Sequence, residues 1–333
     1  MIFVLCGCGA ANGNVKAGME AIAALDYKTA LDCFALAQEN GENERLIARG
    51  KGIAYMGMTA YAEAAACFEE ALKLSDGLVE SIDYDLNYYL ASAYTKEGRL
   101  EEAEKTYDAI LTMKPGEADV LFLRGNVRLG LDKSTEASAD FELVAAKEPQ
   151  NYDRLIQIFE VMNYYGLKEE GQMYLTAALE RNDNKMTAYD RGRMLYYPEE
   201  YQQAYIALEE ARSNGGAEAY LYLGKAYEAT GDYNYASSVY SSYLAKDTSN
   251  AEIYNQLGVC EMAKGNYEKA LTAFQSGMKA QNNLIQQTLS YNEIVAYEHL
   301  GEFQKASVLL QTYLANYPDD EKAKREYDFL STR

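Results

Sequence analysis

Three stretches of the chain share one order of apolar, small and polar positions. They are YYLASAYTKEGRLEEAEKTYDAILTMKP from Tyr88 to Pro115, YLYLGKAYEATGDYNYASSVYSSYL from Tyr220 to Leu244, and YNQLGVCEMAKGNYEKALTAFQSGM from Tyr254 to Met278. Each predicts a helix, a turn containing glycine and a second helix, with like residues at like offsets. Aligning further copies on their small residues places unit starts at Ala11, Arg45, Tyr84, Ala118, Tyr152, Lys185, Ala217, Ala251 and Gln287, spaced 32 to 39 residues apart. The longest interval, around KLSDGLVESIDYD, predicts an extended loop between the second and third units.

The repeated positions have a packing logic. Gly18, Gly52, Gly125, Gly192, Gly224 and Gly258 stand eighth, with Ala91 in the third copy. Ala30, Ala64, Ala103, Ala137, Ala204, Ala236, Ala270 and Ala306 stand twentieth. Large residues sit beside them: Tyr55, Tyr94, Tyr227 and Tyr297 eleventh; Phe34, Phe68, Tyr107, Phe141, Tyr240 and Phe274 twenty-fourth. Small against large is how two helices interdigitate. Phe159 and Ile294 break the eighth-position rule, and Gly171 breaks the twentieth, so the fifth and ninth pairs are expected to pack more loosely or to shift. Gly98, Gly166, Gly231, Gly265 and Gly301 fall where the first helix ends. Pro115, Pro149 and Pro318 follow second helices, and Pro198 lies in the turn of the sixth unit.

This pattern resembles the tetratricopeptide repeat, a helix–turn–helix unit of 34 residues. The resemblance covers residues 11–318 and implies an all-α fold: a right-handed superhelical α-solenoid of about nine units. In residues 319–333, Ala323, Tyr327 and Leu330 share one helical face, which predicts a capping helix with a polar outer side.

Composition narrows the chemistry. With 31 basic against 51 acidic residues the net charge is −20, which argues against nucleic acid as a partner. No stretch has the ~18 apolar residues of a membrane span. The five cysteines are odd in number and widely spaced, unlike a disulfide framework. Cys33 and Cys67 hold the same position in adjacent units, where helix spacing of about 8–10 Å exceeds disulfide reach, so two mostly buried, unbridged thiols are expected. His299 is the single histidine and stands near the end of a first helix, with no nucleophile in an evident strained turn. The expectation is a non-enzyme with no metal and no cofactor.

The opening MIFVLCGCGA admits several readings. Gly7 and Gly9 start a dinucleotide fingerprint, but Asn12 takes the place of the third glycine and no sheet follows. Cys6 and Cys8 lack further metal ligands. Leu5-Cys6-Gly7-Cys8 resembles a bacterial lipobox, with Cys8 the lipidated residue and GAANGN a polar tether, although the apolar run is short and no basic residue precedes it. Residues 1–10 are therefore expected to be a truncated lipoprotein signal or tether that places the chain at a bacterial cell envelope. A cytoplasmic chain with an inert tail is the alternative.

In tetratricopeptide arrays the first helices line a concave groove that binds protein or peptide. Carried onto this sequence, the resemblance implies a groove built from Asp85, Tyr88, Asp119, Phe122, Asn126, Asp153, Glu160, Asn163, Tyr164, Tyr189, Arg193, Tyr196, Tyr197, Lys225, Asn255 and Tyr291. Tyr88, Tyr164, Tyr189, Tyr196, Tyr197 and Tyr291 lie outside the repeat's aromatic core positions, and tyrosine is frequent among binding hot spots. Asp85, Asp119, Asp153, Glu218 and Glu252 all stand second, an acidic rim suited to a basic or amide-rich partner. The Lys/Asn clamp for an acidic C-terminus is not assembled. The function implied is an interaction scaffold or adaptor. A peptide-sensing regulator is disfavoured because only about ten residues precede the first unit.

Overall fold

A computed structural model describes residues 12–181, 184–213, 216–281 and 284–331. Cys8 and the rest of the opening segment lie outside them. Among the described residues all regular elements are helices, as an all-α fold requires. The chain divides into two compact units, residues 1–174 and 175–333.

The first unit holds α1 (Gly13–Ala23), α2 (Tyr27–Glu39), α3 (Glu44–Gly57), α4 (Tyr61–Lys73), α5 (Ser81–Glu97), α6 (Leu100–Met113), α7 (Ala118–Gly130), α8 (Ser134–Lys147) and α9 (Tyr152–Tyr164). The division falls within α10 (Lys168–Glu180). The second unit holds α11 (Ala188–Tyr196), α12 (Tyr201–Arg212), α13 (Ala217–Ala229), α14 (Tyr233–Leu244), α15 (Ala251–Ala263), α16 (Tyr267–Met278), α17 (Gln286–His299), α18 (Phe303–Asn316) and α19 (Glu321–Leu330). Within each unit, successive helices pack as hairpins and each hairpin stacks on the next, an α-solenoid arrangement.

Local sequence sets the helix ends. The side chains of Asp26, Asn43, Asn151, Asp232 and Asn250 accept N–H bonds from the first turns they precede. The long loop between α4 and α5 is present, and α5 starts at Ser81, ahead of the aligned unit start at Tyr84. There the Glu80 N–H donates to Asp83 Oδ2 at 2.8 Å and fixes an extra helical turn.

The small and large positions meet as alternating volumes, with one refinement. The eighth-position glycines face the twenty-fourth-position side chain: a Cβ on Gly18 would sit 2.6 Å from the Phe34 ring, and one on Gly258 would sit 2.3 Å from that of Phe274. All eight twentieth-position alanines are fully buried. The expectation of looser packing in the fifth pair does not hold. Phe159 is buried, and its bulk is matched by Gly171, where a Cβ would lie 3.2 Å from the Phe159 backbone. In the ninth pair Ile294 is also buried, and Leu310 stands where six of the other copies carry a ring. In both pairs the larger eighth residue is thus met by a smaller residue across the contact, as close packing requires. On α19, Ala323 and Leu330 are buried, Glu326 and Tyr327 are half-buried, and the other charged residues are exposed.

Candidate partner-binding faces

The first helices of adjacent hairpins lie side by side: α3 by α5 and α7 by α9 in the first unit, α11 by α13 and α13 by α15 in the second. Side chains that bury into neither the partner helix nor the next hairpin therefore share a face. In the first unit this face carries an open cleft of about 440 Å³, lined by Tyr88, Phe122, Leu123, Arg154, Gln157 and Val161 together with the carboxylates of Asp119 and Glu160. The Arg154 guanidinium lies 4.5 Å from the Phe122 ring centre and pairs with Asp119. Burial raises the Tyr88 hydroxyl above the usual phenol range, with Asp119 adding to the effect, so Tyr88 is a neutral donor at any physiological pH. Asn126 is half-buried, whereas Asp153, Asn163 and Tyr164 are exposed; Tyr164 is 82% exposed and sits edge-on to Tyr165.

The second unit presents a tyrosine cluster. Tyr196 packs edge-to-face on both Tyr197 and Tyr222, with ring centres 5.6 Å apart in each case. The Tyr197 and Tyr222 hydroxyls share a 3.0 Å hydrogen bond, and Tyr189 stands 6.0 Å from Tyr222. Arg193 covers the Tyr189 ring at 4.5 Å and pairs with Asp190 at 2.9 Å. Further along, Asn292 Nδ2 donates to Asn255 Oδ1 at 2.8 Å. Lys322 lies 4.7 Å over the Tyr291 ring. Asn255 is buried by this arrangement, unlike the other residues expected in the groove.

The acidic rim is smaller than the sequence implies. Asp85 pairs with Arg49 at 2.5 Å, Asp119 with Arg154, and Glu252 with Lys225 at 2.9 Å. Each pair bridges adjacent repeats, so three of the five second-position charges are cancelled within the protein. The sequence reading also omitted the sixth position. Leu123 and Gln157 line the cleft there, Tyr222 completes the tyrosine cluster, and Asn292 bonds Asn255. Its signal was available in part, because the sixth residue follows the fifth along the helix and is polar or aromatic at Gln157, Tyr222 and Asn292, though aliphatic at Leu123.

His299 is exposed and stacks on Tyr267, ring centres 4.9 Å apart. Cys33 and Cys67 are not bridged to each other and are half-buried, more open than expected. Burial pushes the Cys67 thiol up, away from the reactive thiolate. Among the described residues no cluster of His, Cys, Asp or Glu could hold a metal ion, and no helix is long and apolar enough to cross a membrane.

The family model described as Tetratricopeptide repeat matches residues 49–119 and 223–284. No curated protein matches the chain in sequence. Among solved structures, a tetratricopeptide repeat protein from Parabacteroides merdae ATCC 43184 is 14% identical, with a TM-score of 0.48 over 76% of this chain and 98% of the other. YrrB, described as a TPR protein with an unusual peptide-binding site, is 20% identical, with a TM-score of 0.43 over 53% of this chain and 89% of its own. MamA from Desulfovibrio magneticus RS-1 is 15% identical, with a TM-score of 0.44 over 53% of this chain and all of its own.

Proposed function

Because the chain is a tetratricopeptide repeat protein, we propose that it is an interaction scaffold whose first-helix faces capture a peptide segment of a protein partner, and that it is not an enzyme. The observation that carries this reading is the cleft between α7 and α9. It combines the aromatic side chains of Phe122 and Tyr88 with the Gln157 amide in an open trough of about 440 Å³. Aromatic area for side chains beside an amide for main-chain groups is the chemistry of peptide recognition. Selecting a random twelve-residue peptide library against the chain tests it. Enriched peptides should lose binding to Phe122→Ala while helicity is unchanged; equal binding to both chains would place capture elsewhere.

A finer part of the proposal is location. Tethering to a bacterial envelope through Cys8 rests on the lipobox-like Leu5-Cys6-Gly7-Cys8 alone. Detergent-phase partitioning of the natively expressed chain beside Cys8→Ala tests it: wild type in detergent and the variant in water supports the anchor, and both in water removes it.

A further inference from the structure

The charges around the α7–α9 cleft are not evenly satisfied. In the first unit Arg45, Arg49, Arg99, Arg124, Arg128 and Arg154 are all committed to ion pairs with the chain's own carboxylates. Arg154, the only cation lining the cleft among the described residues, is cancelled by Asp119. Glu160 lines the same cleft, is exposed, and forms no ion pair among the described residues. The cleft thus combines apolar walls, Leu123, Val161 and the Phe122 and Tyr88 rings, with a carboxylate that has no cation of its own among the described residues.

Resting on the peptide-capture reading, we infer that this cleft takes a lysine or arginine side chain of the bound segment and that Glu160 is its charge partner. The occupant's aliphatic stem lies along the apolar walls while its charged head reaches Glu160, as long basic side chains do on mixed surfaces. Charge complementarity points the same way at long range, because a chain of net charge −20 attracts basic segments and repels acidic ones. The preference originates in one carboxylate rather than in the second-position rim, which is largely neutralised internally.

The test uses five nonapeptide libraries, random except for a fixed centre of Lys, Arg, Nε-acetyl-lysine, Leu or Glu, retained on immobilised full-length chain. Lys and Arg libraries should be retained roughly three- to tenfold over acetyl-lysine, the range of a partly exposed charge-assisted hydrogen bond. Glu160→Gln should erase that preference without lowering retention of the Leu library. Equal retention of lysine and acetyl-lysine, or a preference that survives Glu160→Gln, overturns the inference. If the preference is absent yet Phe122→Ala abolishes retention of every library, peptide capture stands and only its basic character falls. If no library is retained above Phe122→Ala, both fall together.

Discussion

At the fifteenth position of every unit the backbone turns left-handed. Gly98, Gly166, Gly231, Gly265 and Gly301 hold φ between 76 and 85°, and Leu25, Thr59, Asp132 and Glu199 hold 60, 59, 57 and 69°. The same geometry is thus imposed on four residues with a Cβ. A left-handed L-residue costs roughly 1–2 kcal/mol, less for Asp, whose short side chain bonds locally. Glycine relieves that but loses about 0.4–1 kcal/mol through greater freedom of the unfolded chain. Thr59→Gly, Leu25→Gly and Glu199→Gly should each stabilise by about 0.5–1 kcal/mol, Thr59→Gly the most because it is β-branched, and Asp132→Gly should be near neutral. The three stabilising changes lie in different hairpins, so together they should add to about 1.5–3 kcal/mol. Gly231→Ala, the reverse change, should cost about 1 kcal/mol. The assay is the urea midpoint at unchanged slope. A triple glycine variant with a lower midpoint than wild type, or a harmless Gly231→Ala, would refute the reasoning.

Three further outcomes are expected. Asp140 is almost fully buried and accepts from Arg124 at 2.5 Å and Arg128 at 2.8 Å. Asp140→Ala should cost about 3 kcal/mol in denaturant unfolding, the low end for a broken buried pair because Asp108 and Glu104 still hold the arginines. Burial, with the carboxylate of Glu326 from α19 adding to it, pushes Glu298 up to about 7. The folded state then binds a proton more tightly than the unfolded one, so this contribution to stability is complete below the ordinary carboxylate value of 4.5 and disappears as pH rises through about 7. The hydrogen-exchange protection factors of α19, with the intrinsic pH dependence of exchange divided out, should fall between pH 5 and 8 in the wild type, and Glu326→Gln should remove about 1 kcal/mol of that decline after solvent screening; an identical protection profile for the two chains contradicts it. Ala236→Leu, at a fully buried helix contact, should lower stability by about 1–3 kcal/mol; an unchanged melting midpoint would mean that the aligned register is wrong.

The helix hairpins were legible because their signals are local and repeated. Small residues at the eighth and twentieth positions, turn glycines and helix-ending prolines recur with one spacing, and each acts within a single unit. Compensation was harder to read: Phe159 breaks the pattern when taken alone and obeys it once Gly171 is seen opposite. Pairing between repeats was not legible at all. Arg154 reaches Asp119 across one repeat plus one residue, and nothing in the local pattern marks Asp119 as neutralised while Glu160 is not. At the sixth position the residue types were readable, but the contacts of Tyr222 with tyrosines of the preceding unit were not. The residues expected in the groove have been placed in the fold, and their part in binding rests on the peptide experiments.

The central claim is that the first-helix faces capture peptide, and the most direct measurement is the affinity of library-selected peptides for wild type beside Phe122→Ala and Tyr196→Ala. The account predicts a weakening of about tenfold or more for at least one variant, as for loss of a buried aromatic anchor, with circular dichroism unchanged. Undiminished affinity for both variants, or no selectable peptide, would contradict it.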